Sequence, residues 1–174
     1  MVIYGKLWEL LFTFTAFSIE NMSGFLGEYN CKLDSKGRFL LPSGLRKQID
    51  PSAHDQFVIN RGYEGCLTLY PLNNWEVLSE KLNTLNLFVE ANRRFYRQFH
   101  NGAKHVSLDN NGRILIPKSL VDYAGVQKEI VLFAYADRVE IWDNKSYNDY
   151  MEATREDVES LAEQVMGNLD KDIQ

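Results

Sequence analysis

Apolar residues in this chain fall into short clusters separated by turn-forming residues, and the order of the clusters occurs twice. Residues 25 to 33 (FLGEYNCKL) predict a strand, DSKG a turn, and Arg38 to Leu41 a return strand. Asp favours entry into a turn, and Gly37 can take positive φ without steric cost. Pro42 then suits the first turn of a short helix, roughly Ser43 to Gln48, where a missing N–H costs nothing. Short strands are predicted at Phe57 to Asn60 and Cys66 to Tyr70, around RGYEG. The same order returns as a strand at His105 to Leu108, the turn DNNG, a strand at Arg113 to Ile116, Pro117 and a helix from Lys118 to Tyr123. Strands at Glu129 to Ala134 and Arg138 to Trp142 complete it. Each half reads strand, turn, strand, helix, strand, strand.

Helical spacing appears between and after the halves. A helix capped by Asn73 or Asn74 carries Trp75, Leu78 and Leu82 on one face. Leu85, Phe88, Ala91, Phe95 and Phe99 stripe a second helix, for which core packing is the ordinary explanation. A C-terminal helix from about Tyr147 has Tyr150, Met151, Val158, Leu161, Ala162 and Val165 on its apolar side. No Pro/Gly/Ser-rich linker parts the halves, which favours one shared core.

The doubling is visible in the residues themselves. LDSKGRFLLP at 33 to 42 and LDNNGRILIP at 108 to 117 lie 75 residues apart and match at six of ten positions. Two copies are too few for a solenoid and predict two halves about a pseudo-two-fold axis, each presenting the same turn.

Composition changes the picture in one respect. At 174 residues and 45% hydrophobic, the chain can bury an ordinary core. Its net charge of −5 argues at first against nucleic acid. The distribution reverses that. Residues 143 to 174 hold nine acids and three bases, leaving the rest of the chain at net +1. Segments 32 to 47 and 93 to 118 stand at +4 and +5, and each contains one copy of the repeat.

Other chemistry is sparse. Cys31 and Cys66 have no disulfide or metal-ligand spacing and read as two small buried thiols in a reducing cytosol. His54, His100 and His105 lack partners at ligand spacing, and His100 suits a structural place at a helix end. No phosphate loop, nucleophile elbow or metalloprotease motif occurs, so neither catalysis, cofactor, metal nor small-molecule substrate is expected. Asp34 and Asp109 could form a carboxylate pair, but an Arg four residues after each would hold it ionised and make it a poor general acid. Residues 1 to 21 are apolar, yet the uncharged run Leu10 to Ile19 has ten residues, against the roughly 20 that a membrane span needs. The segment is also a poor signal peptide. The expectation is an N-terminal extension from a mis-assigned start, with Met22 the true first residue, and no membrane association.

The pattern D-x-x-G-R offers a binding chemistry instead. Asp before the bend and Arg after it can meet, and the acid would then direct the guanidinium by a charge-assisted bond. Such an arginine suits a phosphate or guanine O6/N7. The candidates are Asp34, Lys36 and Arg38 in the first turn, and Asp109, Asn110, Asn111 and Arg113 in the second. For one copy alone, plain turn chemistry with a solvated Arg is the simpler account. Two copies, both in basic segments, favour DNA binding.

These residues resemble the MraZ family of bacterial transcriptional regulators, related to the AbrB-type swapped-hairpin proteins. GEYNCKLDSKGRFLLP, RGYEGCLTLYP, ANRRFYRQFHNGA, and HVSLDNNGRILIP followed by RVEIW carry the likeness, over residues 24 to about 147. The resemblance implies an α+β fold, in which two AbrB-like halves (22–72 and 102–146) interlock as a pseudo-two-fold β-barrel. Linking helices (73–101) and an acidic C-terminal helix and tail (147–174) would lie around it. It implies a ring-shaped homo-oligomer, with an octamer among the arrangements, that is cytoplasmic and nucleoid-associated. Such a ring would bind tandem G-rich repeats in double-stranded promoter DNA and repress its own operon in the division and cell-wall gene cluster. The family's DNA contacts would fall on Asp34, Arg38, Asp109 and Arg113. DNNG lacks the lysine often found before that glycine, which would weaken phosphate contacts there, and the acidic tail would make affinity salt-sensitive. The alternative is an oligomeric protein–protein scaffold or antitoxin-like module.

Overall fold

The computed structural model describes residues 24–155 and 158–172; the N-terminal extension assigned to residues 1–21 lies outside them. Eight strands form. They are β1 (Phe25–Lys32), β2 (Arg38–Leu40), β3 (Gln56–Arg61), β4 (Leu67–Pro71), β5 (Lys104–Ser107), β6 (Arg113–Leu115), β7 (Glu129–Ala136) and β8 (Arg138–Asp143). Among them lie helices α1 (Ser43–Arg46), α2 (Leu72–Asn83), α3 (Glu90–Phe99), α4 (Lys118–Ala124), α5 (Asn144–Ala153) and α6 (Val158–Asp172). The predicted strands all form, within one or two residues of their expected ends.

Six strands make an antiparallel sheet in the order β1-β7-β8-β4-β3-β5, while β2 and β6 pair as a separate two-stranded ribbon. The pairing is symmetric. Cys31 of β1 faces Ile130 of β7, and Val106 of β5 faces Phe57 of β3, so the first strand of each half pairs within the other half. The pseudo-axis passes between β2 and β6, where Phe39 faces Ile114, and between β4 and β8, where Thr68 faces Glu140.

Alternation along the strands sorts side chains to two faces. Phe57, Ile59, Leu67, Leu69, Ile130, Leu132, Val139 and Ile141 point to one face and join Phe39, Leu45, Ile114 and Leu120 in the main core. The β2–β6 ribbon and helices α1 and α4 thus close that face. On the opposite face, Val58 and Tyr70 pack under Trp75 of α2, and Val131 and Trp142 under Tyr147 of α5.

Several expectations are corrected. For the expected β-barrel, no closed barrel is found among the described residues, where β1 and β5 are the two edges of the six-stranded sheet. The bend closes with Asp34 N–H donating to the Arg38 carbonyl at 2.8 Å, after which β2 pairs with β6 instead of making a ladder with β1. Asn73 and Asn74 do not cap α2, which starts at Leu72 after Pro71. Their amides reach out instead, Asn74 Nδ2 to the Asp137 carbonyl at 2.8 Å and Asn73 Nδ2 to Ser52 Oγ at 3.2 Å.

The aromatic stripe is not a core stripe. Leu85 and Phe88 precede α3, in a bend where Asn86 Oδ1 accepts from Phe88 N and Arg93 Nη1 donates to the carbonyls of Leu87 and Phe88. Phe88 is 95% exposed, and of the stripe only Phe99 reaches the Trp75 cluster, stacking on that indole at 5.7 Å. His100 has the structural place expected, closing α3 against Tyr96 and Trp75. The C-terminal helix is two helices. Asp143 caps α5 by accepting from Lys145 N and Ser146 N, and α6 follows separately. Among the residues whose burial is described, Tyr147 alone of their apolar side is buried; Tyr150, Met151, Val158, Leu161, Ala162 and Val165 are exposed. No helix among the described residues is long and apolar enough to cross a membrane.

Candidate nucleic-acid interface

The two repeated turns fold alike because each Asp organises its own bend. Asp34 Oδ1 accepts from the backbone N–H of Lys36 at 2.9 Å and of Arg38 at 3.0 Å. Asp109 Oδ1 does the same for Asn111 and Arg113, both at 2.9 Å. Gly37 at φ +79° and Gly112 at φ +72° supply the left-handed step. The turns are also tied to each other. Leu41 N–H donates to the Gly112 carbonyl and Ile116 N–H to the Gly37 carbonyl, each at 3.0 Å.

This interlock gathers four charges. Arg38 donates through Nε to Asp34 Oδ2 at 2.8 Å, with Nη2 at 2.6 Å from the same oxygen. Arg113 does so to Asp109 Oδ2 at 2.9 and 2.8 Å. Across the axis, Arg38 Nη1 lies 3.9 Å from Asp109, and Arg113 Nη1 lies 3.9 Å from Asp34. Each arginine is thus held along its Nε edge by its own acid, while Nη1 stops short of hydrogen-bond distance to the other. The quartet is neutral in sum, partly exposed, and still offers Nη1 donors at fixed positions. The side-chain hydrogen bond from Arg38, then its backbone N–H, hold the Asp34 carboxyl down to about 2. Asp109 is lowered by the matching bonds from Arg113. Both acids are therefore locked as anions, the opposite of what a general acid needs.

Lys36, Asn110 and Asn111 are exposed at the turn tips, around this quartet. The structure brings all seven candidate residues onto two adjoining turns. It does not bring the basic segments together whole. Arg93, Arg94 and Arg97 ride on α3, in the layer beyond the opposite face of the sheet, and Arg93 is spent on the loop before its own helix. Arg46 is paired with Asp55 at 3.0 Å.

Sequence reasoning missed one pair. Leu40 and Leu115 occupy matching places in the repeat, face Arg113 and Arg38 across the ribbon, and are 61% and 50% exposed. Their signal was available: four apolar residues in a row (RFLLP, RILIP) cannot all point inward from a two-faced ribbon.

Comparison with known proteins gives the geometry its relatives. The model of the MraZ family, described as "MraZ protein, putative antitoxin-like", matches twice, over residues 25–98 and 99–169. A protein of Christiangramia forsetii named transcriptional regulator MraZ is 48% identical over 152 residues, covering 87% of this chain and 98% of that protein. Proteins of the same name from Flavobacterium psychrophilum and Clostridium acetobutylicum are each 41% identical, covering 87% and 81% of this chain and 97% and 96% of their own. The two matched segments divide the chain between its two structural halves, and the chain belongs to the MraZ family.

Proposed function

We propose that this protein is a sequence-specific DNA-binding transcriptional regulator that reads tandem G-rich promoter repeats through the Arg38 and Arg113 turns and represses its own operon in the division and cell-wall gene cluster. The observation that carries this reading is the Asp34–Arg38–Asp109–Arg113 quartet, where two guanidiniums are aimed by carboxylates with their Nη1 donors unspent. Its relatives bear the name of transcriptional regulator, which supports the same role here. The ribbon carrying the quartet is two-stranded, a form that a DNA major groove admits. Lys36, Asn110 and Asn111 would position it on phosphates or adenine edges.

The exchange of first strands between the halves supports the swapped-hairpin relationship. A ring of subunits would repeat the paired turns at fixed spacing and gain affinity on tandem sites by effective concentration. Exposed apolar groups at Phe88 and along α6 are suited to contacts between subunits. The protein would act in the cytoplasm, on the nucleoid.

The family's antitoxin-like description and the exposed apolar residues of α6 favour one second reading, an oligomeric module that engages a protein partner. A gel shift separates the two. Operator DNA from upstream of the gene is titrated with wild type and with R38A/R113A. The regulator reading expects loss of the shifted band and a salt slope flatter by about one per arginine. Unchanged affinity and slope would defeat it.

A further inference from the structure

We propose that the cavity between α3, α4 and the end of β3 is a binding site for a small planar aromatic carboxylate whose anionic group pairs with Arg61. The cavity holds about 290 Å³, room for a one- or two-ring molecule. Phe95 and Phe99 of α3 wall one side, and the rings of Tyr63 and Tyr123 stand exposed at its rim. Arg61, at the end of β3, lies in this wall with its guanidinium carbon 4.6 Å from the centre of the Tyr123 ring. Its Nε is enclosed by the chain itself, so a ligand would meet the terminal guanidinium nitrogens. None of the ion pairs formed among the described residues within 4.0 Å includes Arg61. A guanidinium that lines a cavity without a carboxylate partner is matched to an incoming anionic acceptor.

The neighbouring charges set the ligand's charge. Arg138 is already committed, with Nε 2.7 Å from Asp137 Oδ1 and Nη1 donating to Tyr70 OH at 3.1 Å. Glu140 accepts from Tyr135 OH at 2.8 Å and Trp142 Nε1 at 2.9 Å, one bond to each oxygen, and these hold its charge in the wall. With Arg138 paired to Asp137, Arg61 and Glu140 leave the wall neutral in sum, so it suits a single negative charge placed directly on the guanidinium and disfavours a phosphomonoester dianion. The molecule would be bound, not transformed. The cavity runs from α3 around the end of β3 to Tyr123 of α4, and none of its lining residues belongs to the paired turns.

Titration calorimetry on the full-length protein tests this with indole-3-carboxylate as the probe. We expect saturable binding of one molecule per chain at millimolar or tighter affinity, weakened about ten-fold or more by R61Q and left unchanged by R94A, which alters α3 outside the cavity. Indole-3-carboxamide, the neutral isostere, should bind wild type about ten-fold or more weakly, a comparison that needs no variant to fold. The proposal is overturned if wild type shows no saturable heat up to about 10 mM, if the carboxamide binds as well, or if a folded R61Q protein binds like wild type. None of these outcomes bears on DNA binding.

Discussion

Phe39 lies directly opposite Ile114 in the β2–β6 ribbon, and both side chains are fully buried. These residues hold the same position in the two copies of the repeat, so the pseudo-axis runs between them. Their packing joins the halves at the base of the charged quartet. Replacing Phe39 by Ala should therefore cost about 3–5 kcal/mol, the range for deleting a buried aromatic ring, whereas Ile114→Val should cost about 0.5–1.5 kcal/mol. Urea unfolding of both variants checks the ranking; equal midpoints would show that the ribbon contributes little to the shared core.

Asp34 and Asp109 give a test that separates aiming from simple charge. D34N/D109N raises the net charge by two, which on Coulombic grounds alone strengthens binding to any DNA. An asparagine cannot hold the Nε edge of its arginine as a carboxylate does. The double variant should bind scrambled DNA as well as wild type or better, yet lose about ten-fold in preference for operator over scrambled sequence. Gel shifts at two salt concentrations measure both quantities, and an unchanged preference would remove the aiming role.

The same acids set a pH window. Asp34 is held at about 2 in the folded protein by its hydrogen bonds from Arg38, below its usual value near 4. A carboxyl lowered on folding contributes stability that is complete above its unfolded pKa and disappears as pH falls through the folded one. The difference in melting temperature between wild type and D34N should thus be constant from pH 7 to about 5 and shrink from about pH 4 towards 2. Melting curves across that range decide it; a difference that grows on acidification would contradict the assignment.

Leu40 and Leu115 are exposed on the outer side of the ribbon and pack into no core cluster. L40S/L115S should change stability by no more than about 0.5 kcal/mol per site. If the ribbon enters a groove, these leucines meet the thymine methyls or sugar surfaces there, and operator affinity should fall several-fold with the salt slope unaltered. A change in slope instead would place the effect on phosphate contacts.

Gly112 tests the turn itself. A Cβ there would find only ordinary contacts, 3.6 Å from Arg46 Nη1 and 3.8 Å from Leu40 Cδ1, but φ is +72°. Gly112→Ala should cost about 1–2 kcal/mol from backbone strain alone, read as a shift in urea midpoint with unchanged m-value. A larger loss would point to steric crowding that the geometry does not contain.

The residues alone determined the element order, both turns and the pairing of each Asp with its Arg, because these rest on local rules: alternation, proline and glycine geometry, and reach across a four-residue bend. The doubled LDxxGR likewise placed the pseudo-symmetry correctly. Only the tertiary structure decided which strands meet. Nothing local in FLGEYNCKL says that its partner is β7, since an antiparallel edge accepts any strand of suitable pattern and the choice is made by burying one common core. The same long-range packing ended the sheet at β1 and β5, put the arginines of α3 on the layer away from the turns, exposed Phe88 from a stripe that looked like core, and drew two separate turns into one quartet. Charge counted along a chain cannot foresee that, because a layered fold sends neighbouring segments to opposite faces.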